Sequence, residues 1–217
     1  MSIGTYGELK TAVENWLARA DLDSRIPEFI AGGLQRVNLD LQIAGGILDQ
    51  EQRAYAATVA TEESIALPTD YGAMRSIKLG TSPLEPRSYD ELVDGYGDAS
   101  GQPEKYAILA GEIFFRPIPD DAYTITINYS KRYTAFSADA DTNYLLTSGA
   151  NLLLYAALLD ALPYLGNLAE AKGWAEGYTS SLNLLIRASR AGRWNHQPPE
   201  LKSDRALVRA RYSFNNC

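Results

Sequence analysis

The chain is poor in the residues that most often carry chemistry. Its 217 residues include one Cys, Cys217, and one His, His196. A single Cys excludes a disulfide framework within one chain and the common multi-Cys zinc sites. It fits assembly in a reducing compartment. Basic residues are also scarce, with 20 Lys and Arg against 27 Asp and Glu, a net charge of −7. That balance argues against a general nucleic-acid binder, which needs a basic surface to hold phosphates. The longest apolar run, Leu152 to Leu162, is interrupted by Asp160. It falls short of the roughly 20 residues that span a bilayer. The first residues, Met1 to Tyr6, have neither the basic nor the apolar stretch of a signal peptide. We expect a soluble protein. There is no Walker-type phosphate loop and no internal repeat.

Apolar residues make up 46% of the chain, enough for a core. Thr5 followed by Glu8 is a capping box, and Leu9, Val13, Trp16 and Leu17 follow on one helical face. A second helix is expected over 24–43, with Pro27 in its first turn and Gly45-Gly46 at its end. Its apolar stripe is Ile26, Phe29, Ile30, Leu34, Val37 and Leu41. The short link between the two helices predicts antiparallel packing. From about 51 to 130 the period changes to two. Tyr123, Ile125, Ile127 and Tyr129 alternate with polar residues, as in a strand with one buried face. Segments 106–109 and 112–116 flank Ala110-Gly111 as a hairpin, with earlier strands over 53–59, 64–67 and 73–79. Residues 89–94 read as one or two helical turns.

Helical signals return near Ser148. Residues 150–162 are apolar almost all round, which predicts a central helix, ended by Pro163 and Gly166. Asn167 with Glu170 repeats the capping-box pattern before an amphipathic helix carrying Ala171, Trp174, Ala175, Tyr178, Leu182 and Leu185, with Gly192 as its C-cap. The fold class is therefore α+β. An antiparallel helical bundle (1–50 and 136–190) holds an inserted antiparallel β domain (51–135) and is followed by an extended C-terminal arm (191–217). That last stretch differs in charge from the rest. Residues 187–217 carry seven basic and two acidic residues, +5, against −12 for residues 1–186. With Pro198-Pro199 and no sustained apolar face, it cannot offset the entropy of ordering itself. An acidic body with a basic, aromatic-tipped arm suggests a protein that reaches to a partner. Arg193, Trp194, Arg205, Arg209, Arg211, Tyr212 and Phe214 are the candidate contacts. The same mixture could stack on single-stranded nucleic acid, but the acidic body disfavours that.

Other motifs read as structure. Asp139, Asp141 and Asn143 open like a calcium loop, yet Tyr144 and Ala150 stand where such a loop needs Gly and Glu. Gly95 and Gly97 lack the third glycine of a dinucleotide fingerprint and are read as turn residues. His196 lies in a linker, too loosely held for a general base. Asp160 is expected to have an Arg, Lys or Tyr partner. No motif requires a cofactor or a metal, and no catalytic residue is assigned. A pair of carboxylates facing one another, as in a cell-wall hydrolase, is neither shown nor excluded by sequence.

Taken in order, Thr5-Tyr6-Gly7-Glu8-Leu9, Asn15-Trp16-Leu17, Ile26-Pro27-Glu28-Phe29-Ile30, residues 66–71, residues 143–146 leading into 152–156, and the Trp174…Tyr178 helix resemble the head-to-tail adaptors of tailed bacteriophages. The likeness spans roughly residues 3–187 and rests on the order of short pieces. It implies a non-enzymatic virion protein at the head-tail interface, assembled in the host cytoplasm. It implies a helical core with an inserted β domain and a ring, usually of twelve copies. Such a ring docks beneath the portal protein, extends the DNA channel without sequence-specific binding and offers a platform to the tail or nozzle protein. The C-terminal arm would lie against the portal, and no membrane is involved. A phage cell-wall hydrolase or another tail or baseplate protein remains as an alternative.

Overall fold

The computed structural model describes residues 3–165 and 170–194, without the side chains of Ala20, Arg193 and Trp194. The chain folds as α+β, with six α-helices and ten strands among the described residues. Helix α1 (Tyr6–Leu17) begins at the capping box. Glu8 N–H donates to Thr5 Oγ1 at 3.3 Å, and Thr5 N–H donates to Glu8 Oε2 at 3.3 Å. Leu9, Val13 and Leu17 are buried. Trp16, placed on the same face, is instead 49% exposed. It lies at the margin of the contact, edge-on to Tyr155 at 5.9 Å.

Residues Ala20–Arg25 form a 3₁₀ turn, so α2 (Ile26–Ile43) starts two residues later than expected. All six residues of the expected stripe are buried. Gly45 and Gly46 end the helix with φ of 88° and 73°, where a side chain would be strained. Gly46 N–H donates back to the Leu41 carbonyl at 2.7 Å.

The C-terminal half returns as α4 (Tyr144–Ser148), α5 (Ala150–Leu165) and α6 (Ala171–Trp194). Helix α5 packs against α1, α2, α4 and α6, so it is the central helix its composition requires. Pro163 does not end it. The helix continues to Leu165, because Tyr164 is held against Phe29 at 5.1 Å and under the Arg25 guanidinium at 5.0 Å. Gly33 permits the closest approach of α2 to α5. A Cβ there would lie 2.8 Å from Ala157 N.

Between α2 and α4 the chain forms β1 (Glu51–Ala57), β2 (Ser64–Ala66), β3 (Tyr71–Leu79), β4 (Ser82–Pro83), β5 (Glu85–Pro86), α3 (Tyr89–Tyr96), β6 (Ser100–Gly101), β7 (Lys105–Leu109), β8 (Glu112–Arg116), β9 (Ile118–Pro119) and β10 (Thr124–Lys131). One sheet has the order β1-β10-β3-β4, and the other β2-β8-β7-β5. Strand β10 is antiparallel to both neighbours, aligning Ile127 with Ala54 and with Ile77. The β7–β8 hairpin turns at Ala110 and Gly111, both at positive φ. The pairings β5–β7 and β6–β9 are parallel, two residues each, so the β part is not wholly antiparallel. Ile77, Ile113, Phe115, Ile125 and Ile127 are the centre of a second apolar cluster, separate from the helical one. Buried Arg116 donates to the Gly97 carbonyl at 3.0 Å and pairs with Glu63 at 2.6 Å. It thereby pins the end of α3, where Gly97 is the cap.

Polar bonds join the two clusters. Asn38 donates to the Tyr133 carbonyl and accepts from its N–H, both at 2.9 Å. Gln42 donates to the Gly72 carbonyl at 2.6 Å, and Arg75 to the Gly45 carbonyl. Gln50, only 2% exposed, accepts from Ile47 N–H and donates to the Lys131 carbonyl. Tyr133 belongs to the helical cluster although it follows β10 directly. Its phenol donates to Asp49 at 2.9 Å, and burial with that carboxylate pushes its pKa upward.

Two expectations follow. Gly33→Ala should cost about 2 kcal/mol by forcing α2 off α5. Gly173→Ala, in open space on α6, should gain about 0.5 kcal/mol. Chemical denaturation measures both. Burial and then the Asp70 hydrogen bond push Tyr129 from 10.0 up to about 12. A phenol whose pKa rises on folding stabilises the fold fully below its unfolded value, and this is lost as pH rises through the folded value. Stability should therefore decline between pH 10 and 12, and less steeply in Tyr129→Phe.

Candidate functional site

The described chain ends with α6. One face of this helix buries Trp174, Tyr178, Leu185 and Ser189, while Arg187 and Arg190 are exposed. The helix does not stop at Gly192 but runs to Trp194, so Arg193 and Trp194 are its last two residues. Gly192 lies within the helix and is not its cap. A Cβ there would lie 3.3 Å from Leu48 Cδ1. Leu48 N–H donates to Ser189 Oγ at 2.8 Å. Leu48–Gln50 is a 3₁₀ turn that leads straight into β1. The end of α6 is thus fixed at the start of the first sheet. Arg205, Arg209, Arg211, Tyr212 and Phe214, with His196, Cys217 and Asn167, lie outside the described residues.

The carboxylates singled out by sequence are engaged with protein donors. Asp160 pairs with Arg36 of α2. Asp40, which the sequence did not single out, accepts from Tyr178 Oη at 2.5 Å, and burial followed by this bond raises the phenol's pKa. These residues form a polar seam among α2, α5 and α6. Asp141 accepts from Ser137 N–H at 2.7 Å and Ala138 N–H at 2.8 Å, and these bonds hold its pKa below the usual carboxylate range. Asp139 pairs with Lys10 at 2.5 Å, and Asn143 Oδ1 caps α4 by accepting from Leu146 N–H. The calcium-like spacing is therefore a polar loop joining α1 to α4. Among the described residues no group of three or more His, Cys, Asp or Glu could hold a metal ion. None of their helices is long and apolar enough to cross a membrane.

What remains is surface. A cavity of about 540 Å³ lies over Glu51, Gln52, Arg53, Arg75, Asn128 and Tyr129. Its one carboxylate, Glu51, lies 4.0 Å from Arg75, so it does not present a facing carboxylate pair. Several large apolar side chains are exposed, with Ile43 at 85% and Tyr55 at 68%, together with Leu39 and Leu184. Sequence reasoning did not single out Tyr55. Its signal is the alternation of exposed and half-buried positions along β1.

The SU10 adaptor protein family profile matches residues 4–200. The chain belongs to this family of phage head-to-tail adaptors. No curated protein matches it. The match runs past the end of α6 into the basic segment. It is a structural family rather than an enzyme family. For an adaptor, surfaces are the relevant equipment, and the engaged carboxylates are ordinary structural ties. Ser189→Ala should lower stability by about 1 kcal/mol by orphaning Leu48 N–H, as read by thermal denaturation.

Proposed function

We propose that the protein forms a ring, of about twelve copies by family likeness, that docks on the portal at the head-tail interface. In that position it extends the DNA channel and gives the tail or nozzle protein its platform. The family match over residues 4–200 carries this reading. Copies in a closed ring meet through two different surfaces, so one protomer's contact face differs from its neighbour's. The acidic body and the +5 segment supply complementary charge for such contacts. The arm makes the portal contact, through Arg193, Arg205, Arg209 and Arg211 as charged partners and Trp194, Tyr212 and Phe214 as apolar anchors. It orders on binding, which costs entropy and leaves the folded body unchanged. The genome passes without sequence-specific contacts, favoured by the acidic balance of the body. Assembly takes place in the host cytoplasm.

The test is a truncation that respects the observed end of α6. Deleting residues 195–217 should leave a folded protein that no longer co-sediments with portal rings. Co-sedimentation equal to that of the intact chain would sink the arm assignment. Clearing of peptidoglycan in a zymogram would replace the adaptor reading with a hydrolase.

A further inference from the structure

Strand β1 is the terminal strand of its sheet. Thr58 N–H donates to the Tyr123 carbonyl of the strand's partner chain segment at 3.0 Å. Backbone direction alternates along a strand, so the amides of Gln52, Ala54 and Ala56 also face β10. Those of Arg53, Tyr55 and Ala57 face away from it. Among the described residues no strand takes them up on that side. The other terminal strands, β2, β4 and β5, are two or three residues long, whereas β1 has seven. It carries no proline or lysine, and its pairing with β10 has no bulge. These are the usual devices that protect an edge. The core is also thin here. On the inner face β10 presents Ile125, Ile127 and Tyr129, but β1 offers only half-buried Ala54 and Ala56. Bulky apolar side chains from an added strand would cover this margin.

Although the last stretch has no sustained apolar face at helical spacing, it contains a short segment of matching strand period. In residues 205–214, Ala206, Val208, Ala210, Tyr212 and Phe214 alternate with Arg205, Leu207, Arg209, Arg211 and Ser213. Four of the five residues in the second set are polar, a period of two with β-branched and aromatic members. The described part of α6 ends near the start of β1, since Leu48 N–H bonds to Ser189 and Leu48–Gln50 opens into β1. Ten residues, 195–204, can span at most about 36 Å.

We propose that residues 205–214 of one copy add as a β-strand to the free edge of β1 in a second copy. Main-chain hydrogen bonds supply the affinity and the alternating side chains the register. Val208, Tyr212 and Phe214 turn inward beside Ala54 and Ala56. The arginines turn outward beside Tyr55, whose ring offers a cation a face. This rests on the ring reading and refines it. It reassigns Tyr212 and Phe214 from the portal to the neighbouring adaptor, and leaves Trp194 and the outward arginines for the portal.

The experiment uses the full-length chain with Cys217→Ser. Tyr55→Cys is mixed with a second variant carrying Arg205→Cys, Arg209→Cys or Arg211→Cys, and the mixture is oxidised. A disulfide between the two chains for at least one arginine position, with none for Val208→Cys, supports the proposal. No cross-link at any of the three overturns it. A cross-link formed only within one chain, when both cysteines are placed together, assigns the strand to its own copy and overturns the exchange. Tyr55→Pro serves as a second variant, because its amide faces the open edge and the ladder to β10 survives. It should weaken self-association about tenfold or more, as should Val208→Asp, which leaves the body unaltered. Unchanged self-association in both variants counts against the proposal. Portal co-sedimentation lost on removing residues 195–217, together with failed cross-links, would leave the adaptor reading standing and remove the strand exchange alone.

Discussion

The fold depends on the requirement that α5 be covered on every side. Leu152, Leu153, Leu154, Ala156, Ala157, Leu158 and Ala161 are buried and point in nearly all directions around the helix. A helix with such a surface has no side to give to water. Its cover comes from α1 and α2 at one end of the chain and from α4 and α6 at the other. The two ends of the described chain must therefore meet, and the strands between α2 and α4 are left to form a second apolar cluster, while Ile47 and Tyr133 at their margins join the helical one. The insertion is a consequence of burying α5, not an independent feature. Small residues set how close that cover comes. Gly33 admits the α5 backbone, and Gly177 lies against the Tyr155 ring.

Two apolar clusters in one chain need a joint, and here it is polar. Asn38, Gln42, Gln50 and Arg75 bond mainly to backbone carbonyls and amides across it. Each bond to the main chain fixes position without requiring a particular side chain opposite. A buried amide such as Gln50 is costly unless both ends are satisfied, and both are. No buried side-chain nitrogen or oxygen among the described residues lacks a hydrogen-bond partner. For an adaptor this matters, because contacts on one cluster keep a defined relation to contacts on the other.

Much of this was legible in the residues. The Thr5–Glu8 box, the α2 stripe, the glycine stop, the Ala110-Gly111 hairpin and the all-round α5 all appear where the pattern put them. These signals are local, and local geometry enforces them. The failures came where tertiary contact overrides local preference. Pro163 stays within α5 because Tyr164 is anchored on Phe29 and Arg25. Gly192 continues α6, whose preceding turn is tied to Leu48 through Ser189. Trp16 lies at a margin rather than in the core. The two-residue parallel pairings have too little sequence to carry a period. For the candidate site, Asp160's need for a partner could be read, but its identity, Arg36, lies 124 positions away and could not. The engagement of Asp139, Asp141 and Asn143 with helix ends likewise needed coordinates.

The bond from Leu48 N–H to Ser189 Oγ has a mechanical meaning. A pull applied at residue 194 does not simply peel the last helix away from its neighbours. It loads the short turn beneath β1 at the same moment, so helical and sheet cores share the tension. Residue 194 therefore stands where the two cores are coupled.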